Sequence, residues 1–441
     1  MSRSKYCPVF IITAAVVLLA GCKAPPTSIV NQPATNSTVA NTNTNTSAEP
    51  SPAQPAEGVA FTMPLLDAML TDEAFVREAR TAVQLTDEEV DKLRTRARNA
   101  VLELSGDPAE DDSRSTRSST DEAVKEVRDV LGNERGNRFI SFVQQKWAGD
   151  APPVAAKPNA VPTDTRVVVN IPAYRMDLFH DGKLVKSYKI GIGYPEFPLP
   201  TGLRKASTII FNPTWTPPDE PWVKGKVAPG KTVKAGDKLN PLGPIKIPIG
   251  LPSLIHGGKA PARLGTFASH GCVGLTNGQI QDFAMEIAKV SGNQLSLDDI
   301  KSYEKKKTET EEIKLAADIP VELRYETIIV ENGVLKIYRD VYEKGTNTED
   351  NLRRVLSGAG VEFADLPDTM QKQISEALKE MAIDASGKPV DSETNANADK
   401  RSSSNASGKV TRNIKGRKEI TFNVPELSGK GYPAPVNMKA S

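Results

Sequence analysis

Residues 254–277 read LIHGGKAPARLGTFASHGCVGLTN and hold two of the chain's three histidines and one of its three cysteines. A cysteine attacks as its thiolate, so it needs a base or a positive neighbour to lower a pKa ordinarily near 8.5. It also needs backbone N–H groups aimed at the oxygen that becomes an anion when a carbonyl is attacked. The run Ser269-His270-Gly271-Cys272 offers both. Gly271 permits a tight turn that leaves the Gly271 and Cys272 amides free to converge on a substrate oxygen. His256 lies sixteen residues before Cys272, across a glycine- and proline-containing loop that can fold back on the thiol. Acyl transfer through a cysteine nucleophile suits this grouping. One rival is a metal site of His256, His270 and Cys272, although no paired CxxC or HxxxH spacing accompanies them. Another makes Cys272 a small buried apolar group and the histidines satisfied core groups.

The first residues, MSRSKYCPVFIITAAVVLLAGC, indicate where such a thiol would work. Arg3 and Lys5 precede an apolar run from Pro8 to Ala20 that is too short to cross a bilayer and suits a secretory signal. The run ends in Leu19-Ala20-Gly21-Cys22, which resembles the lipobox of bacterial lipoproteins. That resemblance implies lipidation of Cys22, cleavage before it, and anchoring to a membrane surface without a spanning helix. Lys23, where an aspartate would favour inner-membrane retention, makes the expected address the periplasm, with the lipid in the outer membrane. Cys7 then leaves with the signal, and Cys272 remains as the single mature thiol with no disulfide partner. Fifty-six basic against fifty-five acidic residues leave no bulk field to attract nucleic acid.

Around this segment the chain divides by composition. Residues 23–57 are almost free of large apolar side chains and read as a disordered tether reaching on the order of 30 Å. Residues 58–149 have helical periodicity: a Thr86-x-x-Glu89 capping box precedes Val90, Leu93, Ala97, Val101 and Leu104 on one face. Val124, Val127 and Leu131 repeat the pattern before Gly132, and NRFISFVQQKW predicts a further helix. The expected role is a spacer or a surface for a protein partner; its LTDEE segment resembles the LTxxQ repeat of periplasmic stress chaperones, without the glutamine. After a proline-rich linker at 150–164 the period changes to two. RVVVNI predicts a strand, and Asp181-Gly182 and Asn332-Gly333 predict hairpin turns, the second joining VELRYETIIV to VLKIYRDVY. Between the hairpins, Ile280, Phe283, Ala284 and Ile287 mark one helical face. His180, at the first turn, reads as an exposed bystander. Helices are expected over 344–383, then a mostly disordered tail over 384–441 in which EITFNV can dock.

His256-Gly257, Ser269-His270-Gly271-Cys272-Val273 and Asn277 resemble the signature of the L,D-transpeptidase catalytic (YkuD-like) domain. VVNIPAYRMDLFHDGKLVKSYKIGIG, Leu199-Pro200-Thr201-Gly202, NPTWTPP at 212–218, NPLG at 240–243 and the closing DIPVELRYETIIVENGVLKIYRDVY are similar, in order, to the family's periplasmic Gram-negative branch. The resemblance implies a mainly β catalytic domain of the L,D-transpeptidase β-sandwich type over 165–343, with a separate small N-terminal α-helical module and disordered tails. It makes Cys272 the nucleophile, His256 the general base and the Gly257 carbonyl the group that orients the imidazole. His270 would shape the site and help polarise the carbonyl, Gly271 and Cys272 would supply amides, and Ser269 would support the turn. Ser269, Asn277 and Trp215 are the expected substrate-side residues; Trp215 and Trp222 either line the groove or pack as core or lid. The implied donor is a peptidoglycan stem tetrapeptide that loses its terminal D-alanine. The acceptor is the amine of a second stem, a D-amino acid or a wall-linked lipoprotein, with water giving hydrolysis. No metal, ATP or other cofactor is required. Gly274 departs from the family, many of whose members have arginine there, which keeps open a catalytically impaired wall-binding lipoprotein.

Overall fold

The computed structural model describes residues 60–102, 104, 115–148, 157–216, 231–385, 387, 389 and 413–438. The expected signal, Cys22, the tether and Trp222 lie outside the described residues. Five helices open the described chain: α1 (Met63–Leu70), α2 (Glu73–Val83), α3 (Asp87–Leu102), α4 (Thr116–Leu131) and α5 (Asn133–Ala148). The capping box before α3 closes in both directions, Glu89 N–H to Thr86 Oγ1 at 3.2 Å and Thr86 N–H to Glu89 Oε2 at 3.0 Å. Val90, Leu93 and Ala97 are buried with Val127, Phe139, Val143 and Trp147 in one core. Leu104 leaves that face and joins the core of the β domain instead. The helices therefore have their own core without being separate. Thr62 and Thr116, at the starts of α1 and α4, donate their hydroxyls to the carbonyls of Glu196 (2.9 Å) and Pro195 (3.0 Å) across the junction.

The β domain begins with β1 (Arg166–Asn170), β2 (Arg175–His180) and β3 (Lys183–Lys189). The β2–β3 turn has Asp181 at φ 47° and Gly182 at φ 75°, the left-handed pair that a two-residue hairpin requires. Next come β4 (Ile192–Gly193), β5 (Gly202–Phe211), β6 (Ile245–Pro248), β7 (Leu254–His256), β8 (Phe267–Ser269) and β9 (Val273–Gly274). The helices α6 (Asn277–Ser291) and α7 (Leu297–Lys305) lead into the long β10 (Glu311–Arg324). Eight strands form one mixed sheet in the order β3-β2-β1-β10-β5-β6-β7-β9, with β4 and β8 paired beside it. The predicted apolar face of α6, Ile280, Phe283, Ala284 and Ile287, is fully buried, and α6 packs against β6 and β10.

Two sequence expectations need correction. Val321–Arg324 does not belong to the second hairpin: it ends β10 and pairs in parallel with β1. Val321 and Leu323 enter the core there, while Glu322 and Arg324 face the other way and pair with each other at 2.8 Å. The hairpin is shorter, β11 (Ile328–Glu331) with β12 (Val334–Tyr338), and it joins a second sheet completed by β13 (Glu419–Asn423). That sheet packs with α8 (Glu349–Gly358) and α9 (Asp368–Met381) around Ile328, Leu335, Leu352 and Ile374. Nor is the C-terminal tail unstructured over 413–438. EITFNV docks as β13, and beyond it Tyr432 hydrogen-bonds Asp177 at 3.1 Å while the Ser187 amide donates to the Val436 carbonyl at 3.0 Å. Arg175, buried between them, bonds Asp177 at 2.8 Å and Glu331 at 2.5 Å, so one guanidinium joins both sheets and the tail.

Candidate active site

β7 and β9 lie side by side and parallel, with Ile255 opposite Val273 and His256 opposite Gly274. Neighbouring side chains alternate across a strand, so Ile255 and Val273 share the core face and His256 shares the other face with Gly274. Cys272 is the residue before β9. One step back in register sets it beside Leu254, whose backbone hydrogen-bonds the sulfur. Cys272 and His256 thus fall on one face, two positions apart along adjacent strands. Their sixteen-residue separation in sequence is taken up by the loop carrying Lys259, a 3-10 turn at Pro261–Arg263, and β8.

The turn that presents the sulfur depends on Gly271, at φ 86°, a conformation that side chains beyond glycine resist. Ser253 Oγ holds the Gly271 carbonyl at 2.7 Å. Ser269 Oγ donates to the Cys272 carbonyl at 2.5 Å and accepts from the Cys272 N–H at 3.1 Å. Ser269 therefore supports the turn, and it does so by taking up the Cys272 amide. The expectation that this amide stands free for a substrate oxygen is corrected: the hydroxyl three residues earlier reaches it first. The Gly271 nitrogen lies close to Gly193: a Cβ built on Gly193 would stand 3.3 Å from it.

His256 is 3% exposed, and its Nδ1 lies 2.7 Å from the Gly257 carbonyl. A carbonyl only accepts, so Nδ1 carries the proton and Nε2 keeps the lone pair. Burial, helped by the positive charge of Lys259, holds the ring's pKa down to about 3, against the pull of the Gly257 and Leu242 carbonyls. Half-buried Cys272 is pushed up by burial, while the Leu254 backbone and Lys259 act in the opposite direction. Asn277 Oδ1 accepts the Gly258 N–H at 2.7 Å and ties the loop after His256 to the start of α6.

His270 sits edge-on between two rings, Tyr194 at 5.0 Å and Phe197 at 4.7 Å. Trp215 is half-buried and its backbone pairs with Val233. His180 is exposed at its hairpin, with Nδ1 3.1 Å from Thr165 Oγ1. Among the described residues no group of three or more His, Cys, Asp or Glu side chains is arranged to hold a metal.

Residues 164–292 match the family model of the L,D-transpeptidase catalytic domain. The chain is also similar to a crystal structure of a mutant Enterococcus faecium L,D-transpeptidase, at 16% identity and a TM-score of 0.24, over 36% of this chain and 50% of that one. The NMR structure of the E. faecium catalytic domain is similar at 16% identity and a TM-score of 0.25, over 37% of this chain and all of that one. An L,D-transpeptidase from Mycobacterium smegmatis is similar at 16% identity and a TM-score of 0.22, over 36% of this chain and 58% of that one. The chain thus spans about half the length of the longer enterococcal protein. No curated protein matches it. The L,D-transpeptidase match includes every strand from β1 to β9 and all of α6, and so contains Cys272, His256 and His270.

Several residues beside the L,D-transpeptidase motif were not singled out by their sequence context. Trp147, at the end of α5, is 1% exposed; its ring edge comes within 4.0 Å of where a Gly271 Cβ would stand, and the Arg204 guanidinium lies 5.1 Å over it. Arg263 Nη2 donates to the Phe267 carbonyl and to Tyr194 Oη at 3.4 Å. Lys259 interacts electrostatically with Cys272, His256 and Arg263. A cation three residues after a candidate base was the available signal.

Proposed function

We propose that this protein is a peptidoglycan L,D-transpeptidase whose nucleophile is Cys272. The observation that carries the reading is the placement of Cys272 and His256 on one face of the adjacent parallel strands β7 and β9, inside the region that matches the L,D-transpeptidase catalytic domain. In the reaction proposed, neutral His256 takes the thiol proton as sulfur bonds to the carbonyl carbon of the third residue of a stem tetrapeptide. In this reading the Gly271 amide donates to the oxygen that becomes negative. The C–N bond to the terminal D-alanine then breaks, His256 returns its proton to the departing amine, and a thioester remains. An acceptor amine attacks the thioester, a new amide forms, and the thiol is restored. The energy of the cleaved amide passes through the thioester, so the cycle balances without ATP or metal. In this reading Cys22 carries the lipid, and the enzyme works in the periplasm from the outer membrane.

Incubating the full chain with tetrapeptide muropeptides and measuring released D-alanine tests the reading. Release by the wild type and none by Cys272→Ala is expected, with cross-linked or exchanged products identifying the acceptor. Equal release by both proteins would remove Cys272 from the mechanism.

A further inference from the structure

Gly274 stands opposite His256 on β9, on the face that also carries Cys272. A methyl group on its Cα would lie 2.8 Å from Cγ of Lys259, 2.9 Å from Cε and 3.3 Å from Cδ. The lysine stem therefore lies along the bare glycine, in space that any side chain at 274 would claim. Its root is pinned as well. The Lys259 N–H donates to the Leu275 carbonyl at 3.0 Å, and the preceding Gly258 N–H is held by Asn277. From that root the stem carries the ammonium into the site, where the groups it meets are Cys272, His256 and Arg263. Arg263 is committed to the Phe267 carbonyl and the Tyr194 hydroxyl. His256 is neutral at rest, its Nδ1 proton on the Gly257 carbonyl, so it brings no standing positive charge to the sulfur.

We infer that Lys259 is the counter-cation of Cys272, admitted to the site by the missing side chain at Gly274, and that its ammonium stabilises the thiolate which attacks the donor. The inference rests on the cysteine mechanism proposed above and adds to it a residue outside the sequence signature. It explains why burial of the sulfur is compatible with reactivity: an opposite charge nearby lowers a thiol pKa by roughly 1–3 units. It also gives Gly274, where the family resemblance has arginine, a positive role. The cation enters from the loop rather than from the strand.

The test is the pH dependence of iodoacetamide alkylation, read at the Cys272 peptide by mass spectrometry on the full chain. Lys259→Met should raise the midpoint by about one unit or more and slow alkylation at pH 7 about tenfold or more. Lys259→Arg should keep the midpoint near that of the wild type. Gly274→Ala leaves the charge in the chain but displaces the stem, so it should shift the midpoint in the same direction as Lys259→Met. A midpoint unmoved in both Lys259→Met and Gly274→Ala, in proteins with wild-type circular dichroism, overturns the inference. Because alkylation needs no wall peptide, the two readings fail separately. A Lys259-dependent midpoint in a protein that releases no D-alanine keeps the counter-cation and sinks the transpeptidase; D-alanine release with an unmoved midpoint does the reverse.

Discussion

Replacing Trp147 with alanine should disable a site to which this residue contributes no chemistry. Trp147 is 1% exposed in the core of the N-terminal helices. It also reaches out of that core to the turn at Gly271 and lies under Arg204. Truncating a buried tryptophan costs about 3–5 kcal/mol, and loss of a desolvated cation–π contact adds about 1–2 kcal/mol. Arg204 would keep only its bonds to the Ile249 and Leu251 carbonyls, at 3.3 and 3.4 Å. Against a total stability of about 5–15 kcal/mol, the change should lower the melting temperature substantially. The turn behind Cys272 would also lose a wall, and small misplacements of a nucleophile can cost up to about a hundredfold in rate. The assay is mass gain on Cys272 after exposure to a carbapenem, measured below the variant's own unfolding transition. Acylation at least tenfold slower is expected for Trp147→Ala, with Trp147→Phe in between. A fully folded Trp147→Ala protein that acylates at the wild-type rate would refute the claim that the helices brace the site.

Other expectations follow from burial and charge. His256 has a folded-state pKa near 3, whereas an unfolded histidine titrates near 6.5. Between those values the unfolded chain binds a proton that the folded one refuses. Its contribution is therefore neutral above about pH 6.5, and stability falls toward pH 3 with a slope of up to about 1.4 kcal/mol per unit. His256→Asn should flatten that part of the stability–pH curve measured by urea unfolding, besides abolishing D-alanine release; an unchanged slope would show that the ring is not held neutral. Asp177→Ala leaves buried Arg175 with Glu331 as its one carboxylate and the Pro433 carbonyl beside it, and removes a partner of Ser187 and Tyr432. Breaking a buried pair costs about 3–5 kcal/mol, so calorimetry should show a large drop in melting temperature, and a drop under one degree would contradict the network's role. Lys259→Met should raise the pH midpoint of thiol alkylation, as set out above.

The residues with rare chemistry were legible because they are few and local. One cysteine, two histidines and their glycines within 254–277 were enough to name Cys272 and His256, and β7 and β9 place them on a common face. The hairpin turns were legible for a similar reason, since Asp181-Gly182 and Asn332-Gly333 require left-handed backbone that few other pairs adopt. What escaped depends on partners distant in sequence. Alternation in Val321–Arg324 fits a hairpin as well as it fits β10, and only pairing with β1, some 150 residues earlier in the chain, decides between them. Within 413–438, EITFNV docks as its alternation suggests, while the residues beyond β13 are held by Asp177 and Ser187 rather than by any pattern of their own. Trp147 read as a helix terminus because nothing local points to Gly271. Lys259 carries no sequence signal of its own, because its environment is made by an absent side chain at Gly274 on another strand.

The proposed chemistry requires that sulfur 272 form the covalent intermediate. Intact-protein mass spectrometry after brief exposure to a tetrapeptide muropeptide, without acceptor amine, tests this most directly. A species heavier by the donor less D-alanine, mapped to the Cys272 peptide and missing from Cys272→Ala and His256→Ala, is the predicted result. D-alanine release with no adduct on Cys272, or an adduct mapped to another residue, would contradict it.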